Sequence, residues 1–464
     1  MTAHPPPSDL DYHAALAALA ERGRFGIRLG LGRTRALLRA LGDPQLAVRG
    51  ALVAGTNGKG SVLAIAGSAL RAAGLRVGET PKPHLVSYRE RIMVDGRPID
   101  AAAFSGHVEA VLRVADTVAR RHGEPTEFEL LTAVVFRHFA EANLDVALVE
   151  VGLGGRLDAT HAWDGGVAAI TNVDLDHTDR LGPTIAHIAR EKAAIIERGD
   201  LAVTGASGEA LAIVRRRAQR MGAPLTVVEP PPLLGWDGEG IDVDLPGLGP
   251  TRIGLRGRHQ AANAAVADAI LDTLEKAGIA TTDPATRRRG YALATWPGRL
   301  EVVHLAGHRD VLLDGAHNPA GATALAVALD DLRPHLAPGP ITLIMAAMAD
   351  KDVDGVIKAL LRAEALRDAL IVATSLNVPR AMPADELAAR WRAAGPGRLA
   401  VRALADPLAA LDATLAQGAG VTVVAGSLYL VGAVRARLVD DPALRDPPPF
   451  PAQATAQVTD QAAR

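Results

Sequence analysis

The stretch Val53-Ala54-Gly55-Thr56-Asn57-Gly58-Lys59-Gly60-Ser61-Val62 gathers the residue types that hold a polyphosphate. Glycines let main-chain N–H groups approach an anion, a lysine adds a point charge, and a hydroxyl can reach the Mg²⁺ that travels with a nucleotide. The spacing departs from the common phosphate loop G-x-x-x-x-G-K-[ST]. Gly60 separates Lys59 from Ser61, and Gly58 follows Gly55 too closely. By itself the stretch indicates a nucleotide and no particular reaction.

Other residues carry chemistry. Glu150 ends the apolar run Val146-Ala147-Leu148-Val149 and precedes Gly152-Leu153-Gly154-Gly155, which puts a carboxylate where a phosphate-loop protein needs help with a metal. His177 sits among Asp174, Asp176 and Asp179; these oxygens suit Mg²⁺ better than imidazole does, so His177 is read as either structural or a ligand. Lys192 falls in the middle of an apolar stripe formed by Ile185, Ile188, Ala189, Ile195 and Ile196, on a helix that Thr184 can cap. Three readings stay open for it: a stem that packs while the ammonium escapes, a desolvated and modifiable amine, or a partner for an anionic ligand. Asp314-Gly315-Ala316-His317-Asn318-Pro319 and Gly426-Ser427-Leu428-Tyr429 each follow an apolar run and precede a helical stretch, where a carboxylate or phosphate is welcome.

The elements that must position these groups are legible as an alternation of strands and helices. An amphipathic helix opens at Tyr12. Leu52–Ala54 reads as a buried strand, residues 61–73 as the helix after the glycine loop, and residues 146–151 and 167–171 as parallel strands. Strands ending in Gly, Asp, Glu and His fit ligand binding at the carboxyl edge of an open α/β sheet. Thr295-Trp296-Pro297-Gly298-Arg299 has turn chemistry and reads as a junction. Beyond it, strands are expected at 311–313, 341–345, 369–373 and 421–425, giving a second, smaller doubly wound domain. The expected division is 1–296, 297–440 and a disordered tail over 441–464.

Composition narrows the function. A chain of 464 residues with formal net charge −2 and no long basic run shows no nucleic-acid or membrane surface. The absence of cysteine excludes disulfides, thiolate metal sites and thiol nucleophiles. No signal peptide or bilayer-length apolar run is visible, so a cytoplasmic protein is expected, either a small-molecule enzyme or a binding protein. A monomer is expected. Arginine supplies most cations, and the only lysines are Lys59, Lys82, Lys192, Lys276, Lys351 and Lys358.

Taken in order, AGTNGKGS (54–61), PHLVSYRERI (83–92), TEFELLTA (126–133), EVGLGGRLDAT (150–160), LDHTDRLGPTIAHIAREKAAI (175–195), HQAAN (259–263), WPGRLE (296–301), DGAHNP (314–319), ADKD (349–352) and GSLYLVGAVR (426–435) resemble one family, the bifunctional dihydrofolate and folylpolyglutamate synthases of the Mur ligase superfamily. The resemblance implies an α/β fold with an N-terminal P-loop-type Mur ligase central domain and a smaller C-terminal Rossmann-like domain. It also implies ATP-dependent ligation of L-glutamate to dihydropteroate and to folates through an acyl phosphate. On this resemblance Gly55, Thr56, Asn57, Gly58, Lys59, Gly60, Ser61, Asn263, Arg299 and Asp314 bind ATP, and Thr126, Glu127, Phe128, Glu129, Leu157, Asp158 and Ala159 contact the pteroate or folate. His317 and Ser427 lie near the incoming glutamate, while Ser61, Glu150 and His177 ligate one or two Mg²⁺ ions. Lys59, Lys192 and His317 are then the catalytic set, with Lys192 matching a carbamylated lysine (N6-carboxylysine).

Two positions depart from the family pattern. Lys82 stands where a serine ligand of the second magnesium is usual, and an ammonium cannot ligate Mg²⁺. Either the second ion is held without that ligand, Lys82 turns away, or its charge partly substitutes for the ion. His161 stands where asparagine is usual. A rival reading, a nucleotide-gated binding protein without ligase activity, has Lys82 as its only motive.

Overall fold

A computed structural model describes residues 10–23, 30–395, 397 and 399–448. Its largest sheet has eight strands in the order Arg97–Pro98, Met93–Val94, Val77–Thr80, Val146–Glu150, Gly50–Ala54, Gly166–Ile170, Leu201–Thr204 and Leu225–Val227. From Val77–Thr80 onward the pairing is parallel, and only the two short strands at the edge run antiparallel. Parallel strands covered on both faces need apolar side chains on both. Gly50–Ala54 meets this need: Leu52 and Ala54 enter one core, with the helices Ala101–His122 and Glu127–Ala142, whereas Ala51 and Val53 enter the other, with Lys59–Ala72 and Gln260–Lys276.

A second sheet, six-stranded, follows the order Glu301–Leu305, Arg309–Leu313, Gly420–Ala425, Ile341–Met345, Leu370–Ala373 and Ala400–Ala403. Its first pair is antiparallel and the rest parallel, with Leu312 and Val311 pointing into opposite cores. Between the two lies an antiparallel sheet of Leu233–Trp236, Ile241–Leu245 and Gly249–Ile253, which the sequence reading did not contain. Ile241, Val243 and Leu245 do alternate inward, but Gly and Pro at close intervals hide the period.

In both parallel sheets the strand ends gather where the chain reverses the direction in which it adds strands. Gly50–Ala54 lies between Val146–Glu150 and Gly166–Ile170, so the glycine loop, Glu150 and the segment 171–177 leave the sheet side by side. Arg309–Leu313 and Gly420–Ala425 are likewise neighbours, which puts Asp314 and Ser427 together.

Of the tail expected at 441–464, residues 449–464 lie outside the described residues. The part before them returns to the first domain. The buried guanidinium of Arg89 donates to Asp446 Oδ1 (3.2 Å) and to the carbonyls of Ile99, Ala443 and Arg445, and the Ser87 hydroxyl donates to Asp446 Oδ1 at 2.6 Å. No described helix is long and apolar enough to cross a membrane. Arg89→Ala would leave these acceptors without their donor and should lower stability by about 2–4 kcal/mol, read from the urea midpoint; an unchanged midpoint would show the strap adds nothing.

Candidate functional site

The helix after the glycine loop starts at Lys59, with Gly58 as its N-cap at φ 82°, in the left-handed region that favours glycine. A Cβ on Gly58 would come within 2.2 Å of Asn263 Oδ1, and one on Gly60 within 2.7 Å of the Trp296 ring. The residue that separates Lys59 from Ser61 is therefore the place where the first helical turn rests on an indole. Neighbouring strand exits hold the loop open. Asn57 N–H donates to Asn172 Oδ1 (2.9 Å), the Thr171 hydroxyl to Asn57 O (2.7 Å), and Asp174 N–H to Thr56 Oγ1 (3.0 Å). The first N–H groups of the helix have no intrahelical acceptor and face an anion site at the dipole's positive end.

Lys59 donates to the carbonyls of Gly55 (3.0 Å) and Thr56 (3.2 Å), and its ammonium lies 3.9 Å from Glu150 Oε1. Lys192, 4% exposed, donates to the same Gly55 oxygen at 2.7 Å. Thr184 caps its helix, Ile185–Ala193, and Ile188, Ala189 and Ala193 share its buried side, so the apolar stripe does carry a lysine inward. The ammonium does not escape to solvent. Burial, followed by repulsion from Lys59, pushes the Lys192 amine down to about 7.

Glu150 is 3% exposed, and burial pushes its carboxyl up against the opposing pull of Lys59. The main-chain N–H of Lys82 donates to its Oε2 at 2.9 Å. The Lys82 ammonium passes over the Phe128 ring, 5.1 Å from its centroid, and donates to the main-chain oxygen of Glu150. Burial lowers this amine to about 8, with Asp158 and Glu150 pulling the other way.

From the second domain come Arg299, Asp314, His317, Asn318, Lys351 and Ser427. Asp314 accepts Leu300 N–H (3.0 Å) and Ala316 N–H (2.9 Å), so its oxygens shape the junction that carries Arg299. The Gly315 carbonyl, 2.8 Å from His317 Nδ1, can only accept, so that nitrogen carries the proton and Nε2 presents a lone pair. Burial, then Lys351, pushes His317 down to about 4, so the ring is neutral at pH 7. Ser427 caps the helix Leu428–Leu438.

Three residues without an assigned role in the sequence reading bridge the two domains. Asn318 Nδ2 donates to Asn57 Oδ1 and to Asp176 Oδ2, each at 3.1 Å, and Lys351 donates to Asp176 Oδ1 at 2.7 Å. Burial would raise the Asp176 carboxyl, but Lys351 outweighs it and holds the group well below the usual range. Lys351 also lies 3.3 Å from His177 Nε2. The scarcity of lysine was the available signal: four of the six, Lys59, Lys82, Lys192 and Lys351, line the cleft.

The remaining wall is built on the helix Glu127–Ala142. Thr126 and Glu129 form its capping box, and Glu129 also accepts from Arg33 (2.9 Å). Glu127 accepts the Tyr88 hydroxyl at 2.8 Å. Asp158 accepts from Leu153 N–H and Thr160 N–H. Thr126, Glu129 and Asp158 thus hold main chain in place, while Phe128, Leu157 and Ala159 supply apolar surface. Every residue expected to bind nucleotide, metal, folate or glutamate, from Gly55 to Ser427, lines one cleft of about 1030 Å³ between the two domains. Gln260 Oε1 fixes Asn263 at 2.7 Å. His161 lies outside this lining; its Nδ1 meets Arg156 O at 3.1 Å.

Comparisons with known proteins identify the family and the fold. Residues 53–228 match the Mur ligase middle domain and residues 303–438 the dihydrofolate synthetase C-terminal domain. The chain is 34% identical over 443 residues to a dihydrofolate synthase/folylpolyglutamate synthase of Bacillus subtilis, covering 92% of this chain and 99% of that one. A Mycobacterium tuberculosis folylpolyglutamate synthase complexed with ADP and AMPPCP superposes with TM-score 0.83 at 33% identity, over 93% of this chain and all of that one. A bifunctional folylpolyglutamate synthase/dihydrofolate synthase of Yersinia pestis, complexed with AMPPNP and Mn ion, gives 0.77 at 30% identity, over 94% and 100%.

The position of Lys192 has a measurable pH signature. Its folded pKa is lowered to about 7, so between pH 7 and the ordinary lysine value near 10.4 the unfolded chain binds the extra proton and stability rises with pH. In CO₂-free buffer, Lys192→Met should exceed wild type in urea stability most clearly below pH 7, and the gap should close as pH rises to 10. A gap independent of pH would contradict a desolvated amine.

Proposed function

The chain belongs to the dihydrofolate synthase/folylpolyglutamate synthase family of Mur ligases, and from that premise we propose that it joins L-glutamate both to dihydropteroate and to folates. It is an ATP-dependent, amide-forming ligase. The observation that best supports the substrate reading is one cleft lined together by the phosphate loop, by the apolar side chains of Phe128, Leu157 and Ala159, and by His317 and Ser427.

A carboxylate is a poor electrophile, so the γ-phosphoryl group of ATP is first transferred to it, giving an acyl phosphate and ADP. Charge neutralisation and alignment dominate such a step. The loop N–H groups and Lys59 hold the phosphates; Lys59 exchanges its bonds to Gly55 O and Thr56 O for phosphate oxygens, and Arg299 adds charge from the junction. Ser61, on the first turn of the helix, would hold a divalent ion together with the nucleotide, and that ion would neutralise phosphate charge. The glutamate amine then attacks the acyl carbon, the tetrahedral intermediate expels inorganic phosphate, and the neutral His317 accepts the amine proton at Nε2. Asn318 and Lys351, reaching across to Asn57 and Asp176, close the cleft against water.

Lys192 is assigned here as a carbamate. A buried amine with pKa about 7 is largely neutral at physiological pH, which is the form that adds CO₂, and the added carboxylate would give Lys59 an anionic partner. Lys192→Ala should lower turnover about 10- to 100-fold and regain part of it with formate or acetate; kinetics equal to wild type would remove the carbamate.

Phosphate release measured with ATP, Mg²⁺ and glutamate tests the substrates. Release is expected with dihydropteroate and with a reduced folate. Release with the folate alone would overturn the double activity, and release with neither would overturn the function.

A further inference from the structure

We infer that Lys82 is a built-in cation occupying the place of a second divalent ion beside Glu150, so that the protein takes up one divalent ion per bound nucleotide. This rests on the reading of the cleft as a nucleotide site and goes beyond it.

The strand Val77–Thr80 pairs with Val146–Glu150, with Thr80 opposite Val149, so the residue two places after Thr80 emerges beside the Glu150 carboxylate. From there Lys82 grips Glu150 at two points. Its main-chain N–H takes Oε2 at 2.9 Å, and its ammonium takes the carbonyl oxygen. The Thr80 hydroxyl, which accepts Glu150 N–H at 3.2 Å, lies 3.4 Å from the same ammonium, and the Phe128 ring covers it. These partners fix the charge in place rather than leaving it on a swinging stem. The other carboxylate oxygen, Oε1, faces Lys59 at 3.9 Å. Both oxygens of Glu150 are thus already approached by donors or cations.

The groups across the cleft tell the same story. His177 presents Nε2 to the Lys351 ammonium at 3.3 Å, and Asp176 is engaged by Lys351 and Asn318. Among the described residues no three His, Cys, Asp or Glu side chains converge closely enough to hold a metal ion. A divalent ion next to Glu150 would have to displace a main-chain N–H and stand beside two ammonium groups, Lys59 and Lys82, with too few hard oxygen ligands to repay it. Ser61, on the first turn of the helix after the glycine loop, lines the same cleft. The residues present therefore fit one nucleotide-bound ion and do not fit a second on Glu150 and His177.

The test is Mn²⁺ titration of the full chain with the non-hydrolysable analogue AMPPNP, free Mn²⁺ being read by electron paramagnetic resonance. Wild type, Lys82→Ser and Lys82→Met are compared. The methionine keeps the stem against Phe128 should the serine variant fail to fold. Wild type is expected to take up one Mn²⁺ per chain, and removal of the ammonium should open a second site or tighten it at least about tenfold. Two ions on wild type, or one ion on all three proteins, overturns the inference and leaves the nucleotide site standing. No nucleotide-dependent uptake by wild type overturns the ligase reading itself.

Discussion

Two lysine side-chain nitrogens, those of Lys59 and Lys192, converge on one main-chain oxygen, Gly55 O, at 3.0 and 2.7 Å. Like charges brought together out of water are tolerable only when one is discharged or an anion lies close by. Both remedies are built in: burial drives the Lys192 amine toward neutrality, and Glu150 stands 3.9 Å from Lys59. The cleft is thus a cationic trap held in readiness at the end of a parallel sheet. A bound polyphosphate would draw Lys59 away from the carbonyl it shares with Lys192.

The surrounding architecture follows from the need to hold that arrangement. The strands Gly50–Ala54, Val146–Glu150 and Gly166–Ile170 deliver the glycine loop, the carboxylate and the pinning residues 171–174 to one edge. Gly58 and Gly60 let Asn263 and Trp296 approach the helix start, tying the loop to the junction with the second domain. Asn318 uses one amide group to touch both Asn57 and Asp176, so the phosphate loop and the second domain share a contact.

Much of this was readable from sequence. The succession of strand, loop and helix at the glycine loop and the inward position of Lys192 follow from local periodicity, which the chain carries openly. What escaped depends on distant partners. The sheet Leu233–Ile253 is built from short strands broken by Gly and Pro, and the segment 441–448 looked like a tail because its anchor, Arg89, lies more than 350 residues away in the chain. Lys351 and Asn318 were visible within ADKD and DGAHNP, but their pairing with Asp176 is a fact of closure. Lys82 was recognised as anomalous, yet only the structure shows its ammonium on the Glu150 carbonyl. Thr126, Glu129 and Asp158, expected to contact substrate, turn out to spend their polar atoms on caps and turns, and so shape the wall they line.

Coupling a phosphate trap to an apolar wall has chemical sense if the phosphoryl group passes to a carboxylate lying between them. The most direct measurement is isotope transfer. Dihydropteroate labelled with ¹⁸O in its carboxylate is turned over with unlabelled ATP and glutamate, and the released phosphate is examined by mass spectrometry. An acyl phosphate places one ¹⁸O in each inorganic phosphate formed; phosphate free of label, with amide still produced, would contradict the account.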